Sequence, residues 1–411
     1  MVTYPGDWEE KAVTALTKEV ITGGTPSTAR PDYWDGDIPW LSSTEIHQRR
    51  VFAPTRYITL LGLNSSSAKI APKGSVLIAL AGQGKTRGTA ALLMSPMALN
   101  QSLAALVANE ETDSRFLFYL FSANYSKLRE LSSGDGGRGG LNKRLLRSLS
   151  FTVPSAKEEQ EAIAETIAAF DTHISNLAAL IEKKRAIRDA ALEDLVSGRT
   201  RLAGFTEPWT ESSLGSIGTF TKGAPLSKAD ISETGTPFIL YGELYTTYSE
   251  VTYKVFRHTK KQAQAEHYSR IGDVIIPTSG ETAEEIATAC CVMIPDVILA
   301  GDLNIYRTSE MDGRFLSYVI NHVVNRQISE LAQGISIIHV NAKALGKIVV
   351  RYPSMKEQSA IVKIIDSMDE ELLALEAERE KMTQIREGVM DDLLTGRKRL
   401  NQSHEPNARA K

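Results

Sequence analysis

The second half of this chain repeats the first. From Pro154 it reads PSAKEEQEAIAETIAAFDTHISNLAALIEKKRAIRDAALEDLVSGRTRL, and from Pro353 it reads PSMKEQSAIVKIIDSMDEELLALEAEREKMTQIREGVMDDLLTGRKRL. Gln160 falls on Gln358, a shift of 198 (358 − 160). The same shift pairs Ile163 with Ile361, Asp171 with Asp369, Arg188 with Arg386, Leu195 with Leu393 and Gly198 with Gly396. Upstream the match is fainter. Gly74-Ser-Val-Leu-Ile78 lies over Gly272-Asp-Val-Ile-Ile276, Pro39-Trp40-Leu41 over Pro237-Phe238-Ile239, Asn142 over Asn341, and Trp8 over Trp209. A repeat of this length makes two related units out of one chain. Within each unit a variable stretch precedes a well-matched one.

The matched stretches read as long helices. Apolar residues fall at Ile163, Ile167, Phe170, Ile174, Leu177 and Ile181, and again at Ile361, Ile365, Met368, Leu372 and Leu375, before Arg379 interrupts. Alternating steps of four and three make the seam of a coiled coil. Pro154 and Pro353 suit helix entry, and Gly198 and Gly396 suit the exit. About forty residues at ~1.5 Å each give a rod of about 60 Å. Such a rod must cover its apolar stripe. It does so either against its own globular unit or, since the two are near copies of equal length, against the other rod running antiparallel. The variable stretches mix short β-rich runs (Val76-Leu77-Ile78, Val274-Ile275-Ile276, 347–351) with helices near 114–131 and 313–332. The expected fold is α+β: two globular domains of mixed structure, 1–153 and 202–352, joined by antiparallel coiled-coil helices at 154–201 and 353–400, with pseudo-twofold internal symmetry and a disordered tail at 401–411.

Composition excludes more than it selects. No stretch approaches the ~20 unbroken apolar residues that span a bilayer. No basic segment followed by an apolar one opens the chain, and the only two cysteines, Cys290 and Cys291, are adjacent and badly placed to bridge each other. A reducing cytoplasm is the simplest setting. The net charge of −3 argues against coating nucleic acid by bulk charge. Between Lys127 and Arg147, however, six basic residues face two acidic ones, a local excess of four (6 − 2).

One loop raises the question of catalysis. After the run Val76-Leu77-Ile78 comes Ala-Leu-Ala-Gly-Gln-Gly-Lys-Thr-Arg-Gly88. A phosphate loop wants Gly, four residues, then Gly-Lys-Ser/Thr, with a helix opening at once. Here Ala79 stands where the first glycine belongs, and the following RGTAALLMSP is a poor helix start. The repeat is more telling: Gly82 lies over Gly280, Gln83 over Glu281 and Lys85 over Ala283. The glycine persists while the side-chain chemistry changes, as a reader of variable sequence requires. A P-loop-like nucleotide-binding protein using Gly84-Lys85-Thr86 remains one alternative, and a coiled-coil scaffold with no DNA role another. No other arrangement suits a nucleophile, a metal or a cofactor, so the chain reads as non-catalytic by itself, with no cofactor.

Together these motifs resemble one family. Thr22-Gly-Gly-Thr-Pro-Ser27 precedes Gly36-Asp-Ile-Pro-Trp-Leu41. Each helix opens on Pro then Glu-Gln-x-x-Ile (Glu159-Gln160, Glu357-Gln358) and closes near Ser/Thr-Gly-Arg (Leu195–Arg199, Leu394–Arg397). In this order, twice, through about residue 400, the chain resembles the specificity subunit of a type I restriction–modification enzyme. The second copy departs from the pattern at Thr221-Lys-Gly-Ala-Pro-Leu226. The resemblance implies two target-recognition domains, each reading one half of a bipartite double-stranded DNA target. It implies that the helices set the spacer between half-sites and dock two methyltransferase subunits. Restriction subunits carrying the motor and nuclease would join that core, and no membrane is involved.

Base readers need donors and acceptors on well-placed loops. In the first domain the candidates are Gln83, Lys85, Thr86, Arg87, Arg138, Asn142, Lys143 and Arg144. In the second they are Thr278, Ser279, Glu281, Ser336, His339 and Lys343. His339 reads equally as a packed core histidine, whereas Trp40 and Phe238 read as core rather than as stacking platforms.

Overall fold

The computed structural model describes residues 4–82, 84–132, 140–331 and 338–400. Its chain divides into two compact units, Met1–Ala178 with Glu378–Lys411, and Ala179–Ala377.

The first unit is built on a five-stranded sheet in the order Thr17–Thr22, Leu103–Ala108, Val76–Ala79, Ala90–Leu93, Arg50–Val51. Every residue of the central strand Val76–Ala79 is buried, which is why it reads as an unbroken apolar run. Its alternate side chains serve two cores: Val76 and Ile78 face one, Leu77 and Ala79 the other. The helix Ser114–Ala123 packs on the first of these and buries Phe116 through Phe121 without a gap. Each such side chain contributes about 1.5–3 kcal/mol. The helix expected over 114–131 is two helices, Ser114–Ala123 and Tyr125–Leu131. The break falls at Asn124, whose amide donates to the Leu120 carbonyl at 2.8 Å. A second sheet orders Arg56–Ile58, Trp34–Leu41, Met97–Leu99 and Ile70–Ala71. Trp40 is buried there, and its indole N–H donates to the Gly24 carbonyl.

The second unit repeats this plan. Its five-stranded sheet runs Gly218–Lys222, Leu303–Thr308, Asp273–Pro277, Cys290–Val292, Val251–Thr252. The smaller sheet holds Arg257–Thr259, Thr236–Leu240 and Ile298–Ala300, with Phe238 fully buried. The helix expected near 313–332 is again two, Gly313–His322 and Asn325–Glu330. Each unit is closed by a two-stranded ribbon that pairs its opening strand with its last: Trp8–Ala12 with Ser150–Pro154, and Thr210–Ser213 with Val349–Tyr352.

The long helices span Lys157–Ser197 and Met355–Leu394. Pro154 therefore ends a strand instead of opening a helix, and the Ser155 hydroxyl donates to the Asp7 carbonyl. Each unit holds one end of each helix, and within each the two segments lie antiparallel. In the first unit Ile163, Ile167, Leu393 and Leu394 share one core, and Arg386 Nε meets Asp171 at 3.0 Å. In the second, Leu192, Leu195, Ile361 and Ile365 share a core, and Arg188 grips Asp369 with two bonds of 2.9 and 3.2 Å.

The repeated motifs are the fasteners of this packing. Gln160 and Gln358 are buried at the helix starts. Gln358 accepts from the Asp312 N–H at 2.8 Å and donates to the carbonyls of Pro353 and Glu310. Gln160 does the same with Asp113, Pro154 and Glu111. Gly198 and Gly396 adopt φ of +73° and +68° and end the helices. The reversal sends Arg201 back onto buried Glu357 at 2.6 and 2.7 Å, and Arg399 onto Glu159 at 2.9 and 2.7 Å. In each unit, an arginine beyond the end of one helix holds the glutamate at the start of the other.

Candidate nucleic-acid interface

In the first unit the loop after Val76–Ala79 is closed by Gly88, which donates to the Ala79 carbonyl at 2.9 Å. Gly82, Gly84 and Gly88 all take positive φ, the region that glycine enters at least cost. The turn is followed by the strand Ala90–Leu93, not by a helix. Hence no helix N-terminus faces a phosphate, and the nucleotide-binding alternative built on Gly84-Lys85-Thr86 is not supported by this geometry. The loop is instead strapped down from outside. Arg129 donates to the Gly84 carbonyl at 2.9 Å, and the Tyr125 hydroxyl to the Lys85 carbonyl at 3.0 Å. His47 shares a 3.1 Å hydrogen bond with the Thr86 hydroxyl. Lys85 thus carries an exposed ammonium on a fixed backbone. Arg87 is half-buried and donates to the Ser132 carbonyl. Asn142 is exposed, but its Oδ1 caps the helix Lys143–Arg147 by accepting from the Leu145 N–H at 2.9 Å, as Asn341 caps Ala342–Leu345. Its amide N–H groups and the second lone pair of Oδ1 are left to reach a ligand. Lys143 and Arg144 are exposed on the first turn of that helix. Gln83 and Arg138, with Ser336 of the second unit and the expected tail at 401–411, lie outside the described residues.

The equivalent loop of the second unit is built differently. Val340 donates to the Thr278 carbonyl as Leu141 does to that of Leu80, so Thr278 occupies the place of Leu80. Ser279, one of the candidate readers, faces inward. It is 3% exposed, and its hydroxyl donates inward to Asp302 at 3.0 Å because the short ribbon Ser279–Gly280 with Ile338–His339 turns it toward the core. The Tyr245 hydroxyl donates to the Ser279 carbonyl, and burial, followed by nearby Glu285, holds that phenol above its ordinary range. Glu285 accepts from the N–H groups of Glu281 and Thr282. That leaves Glu281 with an exposed carboxylate on a pinned backbone, beside half-buried Thr278. His339 is exposed and not a core histidine, and Lys343 is exposed at the next helix start. A cavity of about 830 Å³ opens in the same unit, lined among others by Lys222, Lys228, Tyr241, His267 and Asp302. Its first wall is the turn where the second copy departs from Thr-Gly-Gly-Thr-Pro-Ser.

The two loops therefore differ in sign. Residues 81–89 carry Lys85 and Arg87, and residues 279–289 carry Glu281, Glu284 and Glu285, so formal charges of +2 and −3 sit on equivalent turns. His47, Tyr125, Arg129 and Tyr245, which hold these loops, were missed from the sequence. Their partners lie 34 to 45 residues away, with no local pattern to mark them.

The model of the type I restriction modification DNA specificity domain matches residues 5–183 and again 206–384. The chain belongs to this family. Among its relatives is the specificity subunit of the type I restriction enzyme MjaIX of Methanocaldococcus jannaschii, 30% identical over 176 residues, which are 42% of this chain and 40% of the relative. Over that relative, then, the match spans less than half of its length. The MjaVIII specificity subunit of the same organism matches over 96% of this chain and 94% of its own length at 21% identity. The solved type I S subunit from M. genitalium shares the fold, with a TM-score of 0.55, 20% identity and coverage of 94% of this chain and 96% of the other. The DNA specificity domain is thus present twice, once in each copy of the repeat.

Proposed function

We propose that this chain is the sequence-reading subunit of a type I restriction–modification complex, with each globular unit recognising one half of a bipartite DNA target. The observation that carries the reading is the family domain occurring twice, with one scaffold presenting chemically opposite loops. An exposed ammonium such as that of Lys85 suits guanine O6 and N7, or a phosphate. An exposed carboxylate such as that of Glu281 suits the amino group of cytosine. Two different loops on one scaffold give an asymmetric target. Phosphate contacts from Lys143, Arg144 and Lys343 would fix register without specifying sequence.

The long helices, continuous over 41 and 40 residues, supply the spacer and the docking surface for two methyltransferase subunits. Restriction subunits join through that core, and the chain itself contributes no catalytic group or cofactor. No helix among the described residues is long and apolar enough to cross a membrane. The test is a gel shift with the purified chain in complex with its methyltransferase partner. Retardation of DNA carrying the bipartite target, resistant to non-specific competitor, supports the reading. Equal retardation of any sequence removes it.

A further inference from the structure

The repeated residues Asp171, Arg188, Asp369 and Arg386 form two ion pairs: Asp171 with Arg386, and Arg188 with Asp369. Each pair joins a residue of one copy to the non-equivalent residue of the other. Each unit thus contains one Asp–Arg pair on its helices, and the two pairs are chemically the same.

The globular parts meet these pairs with opposite charge. Arg49 and Glu250 occupy one backbone position: the Arg49 carbonyl accepts from the Leu92 N–H at 2.7 Å, and the Glu250 carbonyl from the Cys291 N–H at 2.8 Å. Each directly precedes the equivalent parallel edge strand, Arg50–Val51 or Val251–Thr252. In the first unit Arg49 lies 3.6 Å from Asp171, which also accepts from the Tyr119 hydroxyl at 2.8 Å. In the second unit Glu250 lies 3.6 Å from Arg188, and its other oxygen is 2.8 Å from His322 Nε2. The choice leaves a mark. Arg188 Nη2 faces both Asp369 and Glu250, whereas Arg386 Nη2 is buried without a hydrogen-bond partner. Arg386 Nη2 thus lacks both the second aspartate oxygen, which Arg188 Nη2 reaches at 3.2 Å, and the carboxylate that Glu250 places 3.6 Å away in the second unit.

We propose that the repeated Asp–Arg pair is a two-signed seat on which each globular reader is oriented, and that Arg49 and Glu250 are positioning residues that select its anionic or its cationic member. An ion pair seen from the side offers both charges within one side chain's reach. A third charge of either sign settles on the opposite member and swings away from the like one. The seat therefore accepts readers that differ at this position, and the position is free to reverse sign while the helices stay constant. The inference rests on the proposed DNA reading only for its functional consequence, which is the orientation of each reader toward its half-site.

The test is a double-mutant cycle in the full chain, with Glu250→Arg, Asp369→Asn and the two combined. Hydrogen exchange over 251–252 and 313–322 reads the seating without DNA. In complex with the methyltransferase, affinity for the target is compared with that for a target scrambled in the half-site this unit reads. Glu250→Arg alone is expected to keep wild-type exchange protection and affinity within about twofold, because the new guanidinium moves to Asp369. The combined variant, with two guanidinium groups facing each other and the Asp369 carboxylate gone, is expected to lose protection and at least tenfold in affinity, well beyond the sum of the single effects. That loss is confined to the intact half-site. Arg49→Glu is the mirror test and is expected to be tolerated through Arg386. If Glu250→Arg alone loses as much as the combination, or if the combination loses no more than Asp369→Asn, the two-signed seat is overturned. An absence of DNA binding by the wild-type complex would instead count against the DNA reading, and the exchange data would still decide the seat.

Discussion

Replacing Gln358 with alanine should damage the second unit more than its small change in apolar area suggests. Gln358 is fully buried. Its Oε1 accepts from the Asp312 N–H at 2.8 Å, and its Nε2 donates to the Pro353 carbonyl at 2.9 Å and, more weakly, to that of Glu310 at 3.4 Å. Truncation leaves two well-bonded backbone groups unsatisfied. At about 1–3 kcal/mol for each, with partial rescue if water enters, the cost is about 2–4 kcal/mol. Chemical denaturation of the full chain measures it, with hydrogen exchange assigning the loss to the second unit. Leucine separates the two candidate causes, since Gln358→Leu refills the volume but leaves the same backbone groups unpaired. The reasoning predicts that leucine is about as damaging as alanine. Recovery with leucine would show that packing holds the site and would refute the hydrogen-bond account. Glutamate adds a check by sign. In Gln358→Glu one oxygen faces two carbonyls, so the folded state favours the protonated acid and its pKa rises. Stability is then greatest below the unfolded Glu value of about 4.3, and is lost as pH rises through the raised folded value.

Three further outcomes follow from the same geometry. Gly396→Ala should cost at least about 1–2 kcal/mol through its φ of +68° alone, and more than Gly198→Ala, because its Cβ would stand 2.4 Å from Pro5 Cδ rather than 3.1 Å from the Trp209 ring; equal denaturation midpoints would contradict this. Burial pushes the Cys290 thiol up to about 12 and the Cys291 thiol higher still, so neither should react with a thiol-specific disulfide reagent at pH 8 until denaturant is added; stoichiometric labelling of the native chain would be the contrary result. Lys85→Ala should weaken binding of the bipartite target and, if its contact is to a phosphate, reduce the slope of log affinity against log salt by about 1; unchanged affinity and slope would remove this loop from the interface.

The long helices and their pairing were legible because a seam at steps of three and four, twice, leaves little else for a rod to do. The seam burial is uneven: Ile163, Ile167, Ile361 and Ile365 are buried, whereas Phe170 and Ile174 are half-buried. The central strands were legible for the same kind of reason, since a strand covered on both faces is apolar throughout. The helix breaks at Asn124 and Val323–Val324 were not, because no glycine or proline marks either of them. At the candidate interface the glycine framework of 82–88 was readable, and the direction of individual side chains was not. Ser279 was named only as a candidate on the loop beside Gly280, and a ribbon formed with residues sixty positions later turns it inward onto Asp302. Arg87 likewise folds back onto Ser132, a carbonyl 45 residues away. Glu-Gln at each helix start and Gly-Arg at each exit were visible as words in the repeat. Their meaning required the fold: the Gln is a buried amide fastener, Arg199 and Arg397 fold back on the acids of their own helices, and Arg201 and Arg399, two residues further on, return to the partner helix.

The duplicated reader is tested most directly by mapping methylated bases across the genome of a host that expresses this chain with its partner methyltransferase. The account predicts a single motif made of two short specified runs separated by a constant number of unspecified positions, with Lys85→Ala altering or erasing the specificity of one run and leaving the other untouched. A continuous motif, or a Lys85 variant that changes both runs alike, would contradict it.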